Sequence, residues 1–229
     1  MADNLQGEFI KKMKKLIFGL IATVLMTSFS FGQSSKLGNF SSAEIGSFHN
    51  QTLTLLKKNN LVKGTPQQLK ELLSVELPKI DARLDKLNVN NSIDYLYANS
   101  LFLTNIKKNQ DVPSFQVQVL TFLVDKKEIS SSIKDLLIKN SGSTLEILKS
   151  EVNKALSSSA YTNNYKDYLK VYVSVYENSY NYWNQAPNSR QCQWCIYAGD
   201  AVGGILGLYG GPVWSIIQGA AVSAALDNP

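Results

Sequence analysis

Ala198-Gly-Asp-Ala-Val-Gly-Gly-Ile-Leu-Gly-Leu-Tyr-Gly-Gly-Pro212, continued by Gly219-Ala-Ala-Val-Ser-Ala-Ala225, is the most distinctive run in the chain. Glycines recur every four residues at Gly199, Gly203, Gly207 and Gly211, and half of the chain's 14 glycines fall within residues 199–219. That period puts them on one side of a helix, as a groove without side chains where another backbone can come close. Glycine costs about 1 kcal/mol relative to alanine in a helix interior, so a helix carrying this many needs close packing to hold it. From Ala201 to Leu226, a run of 26 residues, no side chain is charged. Pro212 divides the run into halves, each shorter than the ~20 residues of a bilayer span. The segment is expected as a Gly/Ala-rich helical hairpin. It would pack on the rest of the protein, associate with membrane lipid, or pair with a second copy through Gly199, Gly203, Gly207, Gly211 and Gly219. Leucine at Gly203 or Gly207 is expected to weaken such association and leave the remaining helices folded.

Upstream of the glycines lies Cys192-Gln-Trp-Cys195, reached through a polar, proline-bearing linker at residues 186–191. Two cysteines cannot staple 229 residues, so a disulfide-framework fold is excluded. In an oxidising compartment Cys192 and Cys195 are expected to close a small disulfide clip at the head of the glycine helix. A thiol–disulfide site is the alternative, but the βαβ unit that normally carries such a motif is missing. A zinc site needs two further ligands, and His49 is the chain's one histidine.

Residues 33–185 read as an all-α domain of several helices with marked ends. Ser41-Ser-Ala-Glu44 and Ser143-Thr-Leu-Glu146 have capping-box spacing, and Thr65-Pro66 is a helix start with proline in the first turn. Asn59, Asn60 and Gly64 stop the first helix, Pro78 is read as breaking the second, and Ser92 as opening the next. Phe115–Val124 is β-prone but has no partner strand elsewhere, so it is expected as helix. His49, beside Phe48, is expected as a partly exposed helix residue.

Residues 163–183 form a tyrosine-rich helix. Tyr161, Tyr165, Tyr168, Tyr172, Tyr176 and Tyr180 are spaced by three or four, which places them with Leu169 and Trp183 in one arc. Lys166, Asp167, Lys170, Ser174 and Glu177 occupy the other side. Tyr165, Tyr168, Tyr172, Tyr176, Tyr180 and Trp183 are therefore either a binding face for a glycan or protein partner, or the packed face of an amphipathic helix.

Residues 1–32 have the layout of an export signal. A lysine-rich start (Lys11, Lys12, Lys14, Lys15) precedes an apolar run from Leu16, and Ser30 and Gly32 stand at −3 and −1 if the cut precedes Gln33. Residues 1–12 fit that pattern poorly because Asp3 and Glu8 are acidic. They are read as an upstream start or a remnant. The protein is expected to be exported, to a periplasmic, envelope-associated or extracellular location.

The formal charge of +5 falls to +3 without residues 1–32, and lysine outnumbers arginine 21 to 2. Neither figure suggests nucleic-acid binding. G-x-S-x-G, H-E-x-x-H and G-x-x-x-x-G-K are all absent. No catalytic residue, metal site or cofactor is assigned, and the reading leans away from an enzyme.

Residues 198–226 resemble the glycine-zipper segments of bacterial envelope proteins and the Gly/Ala-rich helices of class II bacteriocins. Those segments insert into or associate at membranes. The resemblance implies membrane or self-association through this C-terminal segment, with a bacteriocin-like role in view. The alternatives are a soluble extracytoplasmic binding module using the tyrosine helix, and a thiol–disulfide protein.

Overall fold

Local chain chemistry sets most of the helix ends. In the computed structural model, which describes residues 35–61, 64–98, 112–184 and 193–226, helix α1 is Ser42–Lys58. Ser41 caps it with both bonds of the capping box: Glu44 N–H donates to Ser41 Oγ (3.2 Å), and Ser41 N–H to Glu44 Oε2 (2.7 Å). Its far end closes as a Schellman turn. Asn60 takes φ 53° and Leu61 N–H reaches back to Leu56 O at 2.9 Å.

Helix α2 is Pro66–Ile80, with the Thr65–Gln68 capping box and proline in its first turn. Pro78 does not break it. The proline sits in the last turn, where few backbone bonds remain to be lost, and the helix ends when Asp81 N–H bonds Leu77 O at 3.1 Å.

Helix α3, Lys86–Ala98, starts earlier than Ser92. The Asp85 carboxylate takes the N–H groups of Leu87 (2.9 Å) and Asn88 (3.0 Å), the role of an N-cap. These bonds hold the Asp85 carboxyl below its usual range. Ser92 sits mid-helix and bonds back to Asn88 O at 2.7 Å.

Helices α4 (Val112–Asp125), α5 (Ser131–Asn140) and α6 (Leu145–Ser157) follow. The β-prone stretch is α-helical because Phe115, Val119 and Leu123 recur every four residues and all are buried. The cap of α6 is Thr144, which accepts from Ile147 N–H. That is one residue beyond the Ser143 box read from sequence, so Glu146 lies in the first turn instead of closing a box.

Helix α7 is Asn163–Asn184, α8 is Gln193–Leu208 and α9 is Pro212–Leu226. Among the described residues there are nine helices and no strand, an all-α fold. The proposed signal at 1–32, the linker at 186–191 and Cys192 lie outside the described residues.

The uncharged C-terminal segment is the centre of this arrangement. Every residue of α8 from Cys195 to Leu208 is buried. α8 packs on α7, α9 and α4, while α9 packs on α8, α1 and α3. A helix apolar all round belongs in a core or a bilayer. Among the described residues, no helix is long and apolar enough to cross a membrane. Ser35–Pro229 form one compact unit, so the described part of the segment assigned to 192–229 packs within the unit that holds the helices of 33–185. One hydrophobic cluster runs from Leu37 through to Leu226.

Candidate binding pocket

The glycine ladder forms the seam between α8 and α9. A Cβ on Gly203 would lie 2.8 Å from Val222 Cγ2 and 3.2 Å from Gln218 O, and one on Gly199 would meet Leu226 Cδ1 at 2.5 Å. At Gly207 the obstacle is backbone: Trp214 O at 2.3 Å and Ser215 Cα at 2.7 Å. Gly211 has φ +122° in the turn, which only glycine adopts readily. A Cβ on Gly219 would lie 2.8 Å from His49 Cδ2 and 3.3 Å from Asp200 O, so this glycine faces inward. Association through Gly199, Gly203 or Gly207 therefore requires the α8–α9 seam to open first. Gly46, unflagged in the sequence, works the same way. Its Cβ would strike Ser174 O at 2.7 Å, so α1 and α7 touch nearly backbone to backbone.

Under Gly219 lies a buried polar cluster. His49 is 0% exposed, not partly exposed, because its helix is covered by α7 on one side and α9 on another. Its Nδ1 is 3.0 Å from Asn50 Oδ1, and its Nε2 is 3.9 Å from Asp200 Oδ2. Asp200, also 0% exposed, accepts at that same oxygen from Ser179 Oγ (2.5 Å) and Ser223 Oγ (2.8 Å). Burial drives the imidazole down to about 4, against hydrogen bonding at Asn50 and the Gly219 backbone, so His49 is neutral near pH 7. Both serines donate to the carboxylate and not to the imidazole, and all four side chains are buried. This is not the geometry of a serine nucleophile activated by histidine. The cluster joins α1, α7, α8 and α9 from within.

The tyrosine face is mostly core. Tyr168, Tyr172, Tyr176 and Trp183 are buried and Tyr165 is half-buried, so no continuous platform faces solvent. Part of the opposite side of α7 is covered as well. Asp167 is buried and accepts from Ser35 Oγ (2.7 Å) and Lys36 N–H (3.2 Å), which ties the chain before α1 onto α7. Glu128 secures the same join by accepting from Lys36 Nζ (3.1 Å) and Tyr168 Oη (3.0 Å).

Where α7 meets the start of α8, part of the tyrosine face does open. Tyr176, Tyr180, Trp194 and Tyr197 line a pocket of about 520 Å³, with the first turn of α6 on its far side. Trp194 and Tyr180, 36% and 37% exposed, stand at the mouth, and buried Tyr176 and Tyr197 form the floor. Tyr197 meets Tyr176 (5.6 Å, 72°) and Tyr180 (5.4 Å, 69°) edge-on. The floor phenols bond the protein: Tyr176 Oη to Ser141 O (3.4 Å) and Tyr197 Oη to Asn184 Oδ1 (3.0 Å). Burial pushes Tyr176 up to about 12 and raises Tyr197, so both stay neutral. Glu146, Thr144 and Gln193 add polar groups at the rim. The volume and the mix of rings with a few convergent polar groups suit a small-molecule site.

This pocket draws on three features that the sequence presents separately: the tyrosine helix, the cap region of α6, and the tryptophan between the two cysteines. Trp194, Tyr197 and Glu146 are the site residues that sequence reasoning missed, Trp194 being the one with a local signal. Its signal was an aromatic side chain inside a four-residue cysteine loop. Cys195, next to it, is buried and is not a free thiol.

A second pocket, about 360 Å³, lies at the α8–α9 turn beside Phe40, Arg83, Pro212 and Trp214. Its guanidinium is already engaged. Arg83 bonds Glu44 Oε1 (2.6 Å), Asp81 Oδ2 (2.7 Å) and the Asn39 carbonyl, and stacks on Phe40 at 4.3 Å. Those contacts hold Glu44 and Asp81 down at about 2 each. Arg83 thus clasps the start of α1 to the turn before α3. Among the described residues no group of three or more His, Cys, Asp or Glu side chains could hold a metal ion. No family model, characterised protein or solved structure matches this chain.

Proposed function

We propose that the chain is an exported, all-helical, non-enzymatic binding module whose ligand site is the aromatic pocket between α6, α7 and α8. One observation carries this reading: Trp194 and Tyr180, large rings left part-exposed in an otherwise well-buried core, converge on one concave site with Glu146 and Gln193. Export is supported by the basic and apolar layout of residues 11–32. In the same reading Cys192 and Cys195 are bridged, since the chain has no other cysteine. The bridge holds Trp194 at the mouth. The glycine ladder serves folding in this account, through the α8–α9 seam.

A thermal-shift panel of neutral oligosaccharides, amines and quaternary ammonium compounds tests it on the exported protein. A pocket ligand at a hundred times its Kd stabilises by about 2.7 kcal/mol, an increase of roughly 5–10 °C in Tm for a domain of this size. Trp194→Ala, at an exposed position, is expected to keep its own Tm within a few degrees and lose most of that ligand-induced increase. A panel that stabilises neither protein, or stabilises both equally, contradicts the proposed site.

A further inference from the structure

If the pocket between α6, α7 and α8 is the binding site, its lining also indicates the class of ligand. Four rings surround it, and Glu146 is the one acidic side chain among the lining residues. None of the described lining residues is basic. Lys149, one turn along α6, is taken by Glu177 at 2.8 Å. An anion would meet Glu146 and no counter-charge. A neutral sugar would find rings and polar groups at the rim, Glu146 among them, but would leave the carboxylate's charge unbalanced.

Tyr176 and Tyr197 form the floor, and Tyr180 and Trp194 the mouth. Tyr197 stands near 70° to both Tyr176 and Tyr180, and the floor hydroxyls are turned away onto Ser141 O and Asn184 Oδ1. Ring faces carry the negative part of the aromatic quadrupole. They attract a cation within about 6 Å of the centroid, most strongly when it is desolvated. A methylated ammonium gives up less hydration on entering such a site than a primary ammonium, which is a compact and strongly hydrated charge.

We propose that this pocket takes an organic cation with a quaternary ammonium head, enclosed by Tyr176, Tyr180, Trp194 and Tyr197 and balanced by the Glu146 carboxylate. The probes are choline and its uncharged carbon isostere, dimethylbutanol. They have the same shape and differ in charge. Kd for each is read from line broadening of the methyl NMR signal on adding the full exported chain. Choline is expected to bind at least roughly tenfold tighter than the isostere, a gap of about 1.4 kcal/mol. Glu146→Gln should weaken choline several-fold and leave the isostere unchanged. Trp194→Ala should weaken choline about tenfold.

Equal affinity for the two probes, or a Glu146→Gln variant that binds choline like wild type, overturns the cation assignment and leaves the pocket as a site for uncharged ligands. Trp194-dependent binding of a neutral oligosaccharide, with choline unbound, overturns it in the same way. If neither probe nor any oligosaccharide binds, the pocket is not a binding site and both readings fall.

Discussion

Gly207→Ala is expected to destabilise the protein by about 2–4 kcal/mol, although alanine is the better helix former by about 1 kcal/mol. The new methyl would lie 2.3 Å from Trp214 O and 2.6 Å from Trp214 C, atoms of the α9 backbone that cannot rotate away. Relieving that overlap means moving α9 off α8, and α9 also carries the contacts to α1 and α3. Gly199→Ala is the matched control. There the new methyl meets only the tip of the Leu226 side chain, which can turn aside, so the change should stay within about 1 kcal/mol of wild type. Urea unfolding of the two variants side by side separates the cases. Leucine at Gly203 or Gly207, expected from sequence to spare the other helices, should instead unfold them. Equal stability for Gly207→Ala and Gly199→Ala would show that the α8–α9 seam is not closed as described.

Acidification from pH 7 to pH 4.5 is expected to cost about 2.5 kcal/mol through His49 alone. The imidazole sits at about 4 in the folded chain against 6.5 when unfolded. As pH falls the unfolded state takes up its proton first. Stability is therefore full above pH 6.5, falls between 6.5 and 4, and levels off below. The Asp200 carboxylate faces His49 from α8 at 3.9 Å, beyond hydrogen-bond reach, and offsets only part of this. From α9 the neighbour is Gly219, which does not titrate. Glu44 and Asp81 act lower down. Their carboxyls are held at about 2, so their contribution persists above their unfolded values of 4.5 and 3.8 and is lost as pH falls towards 2. Urea midpoints at pH 7 and 4.5 give the loss directly, and His49→Gln should remove most of the slope between them. A wild-type midpoint unchanged over that interval would place His49 in contact with water.

What could be read from the sequence follows the range of each interaction. The caps at Ser41 and Thr65 are legible because a cap is chemistry between residues three apart. Ser143 was one residue off because Ser143 and Thr144 are both good caps, and only the chain path selects Thr144. Ser92 looked like a start because Asp85 lies beyond Leu87, Asn88 and Asn90, an unpromising opening turn. The glycine period was legible as a close-approach surface, but a period says nothing of what approaches. Membrane, second copy and neighbouring helix all fit it, and the partner is α9 of the same chain. His49, Gly46 and Asp167 were misjudged or missed for one reason. A helix in the interior of a bundle is covered on more than one side, so a polar residue outside the apolar stripe can still be buried. The pocket was least legible, since residues 144–146, 176–180 and 193–197 meet only once α6, α7 and α8 have packed.

The three tryptophans sit in three separate parts of the structure: Trp183 buried beside Lys57, Trp194 at the mouth of the aromatic pocket, and Trp214 at the α8–α9 turn. Indole-labelled NMR spectra of the protein, titrated with choline, with neutral oligosaccharides and with phospholipid vesicles, therefore report on all three places at once. A small ligand is expected to move the Trp194 indole resonance and leave Trp183 and Trp214 in place, and vesicles are expected to move none of them. Movement of Trp214 with Trp194 unchanged, or loss of all three resonances on adding vesicles, would contradict that expectation.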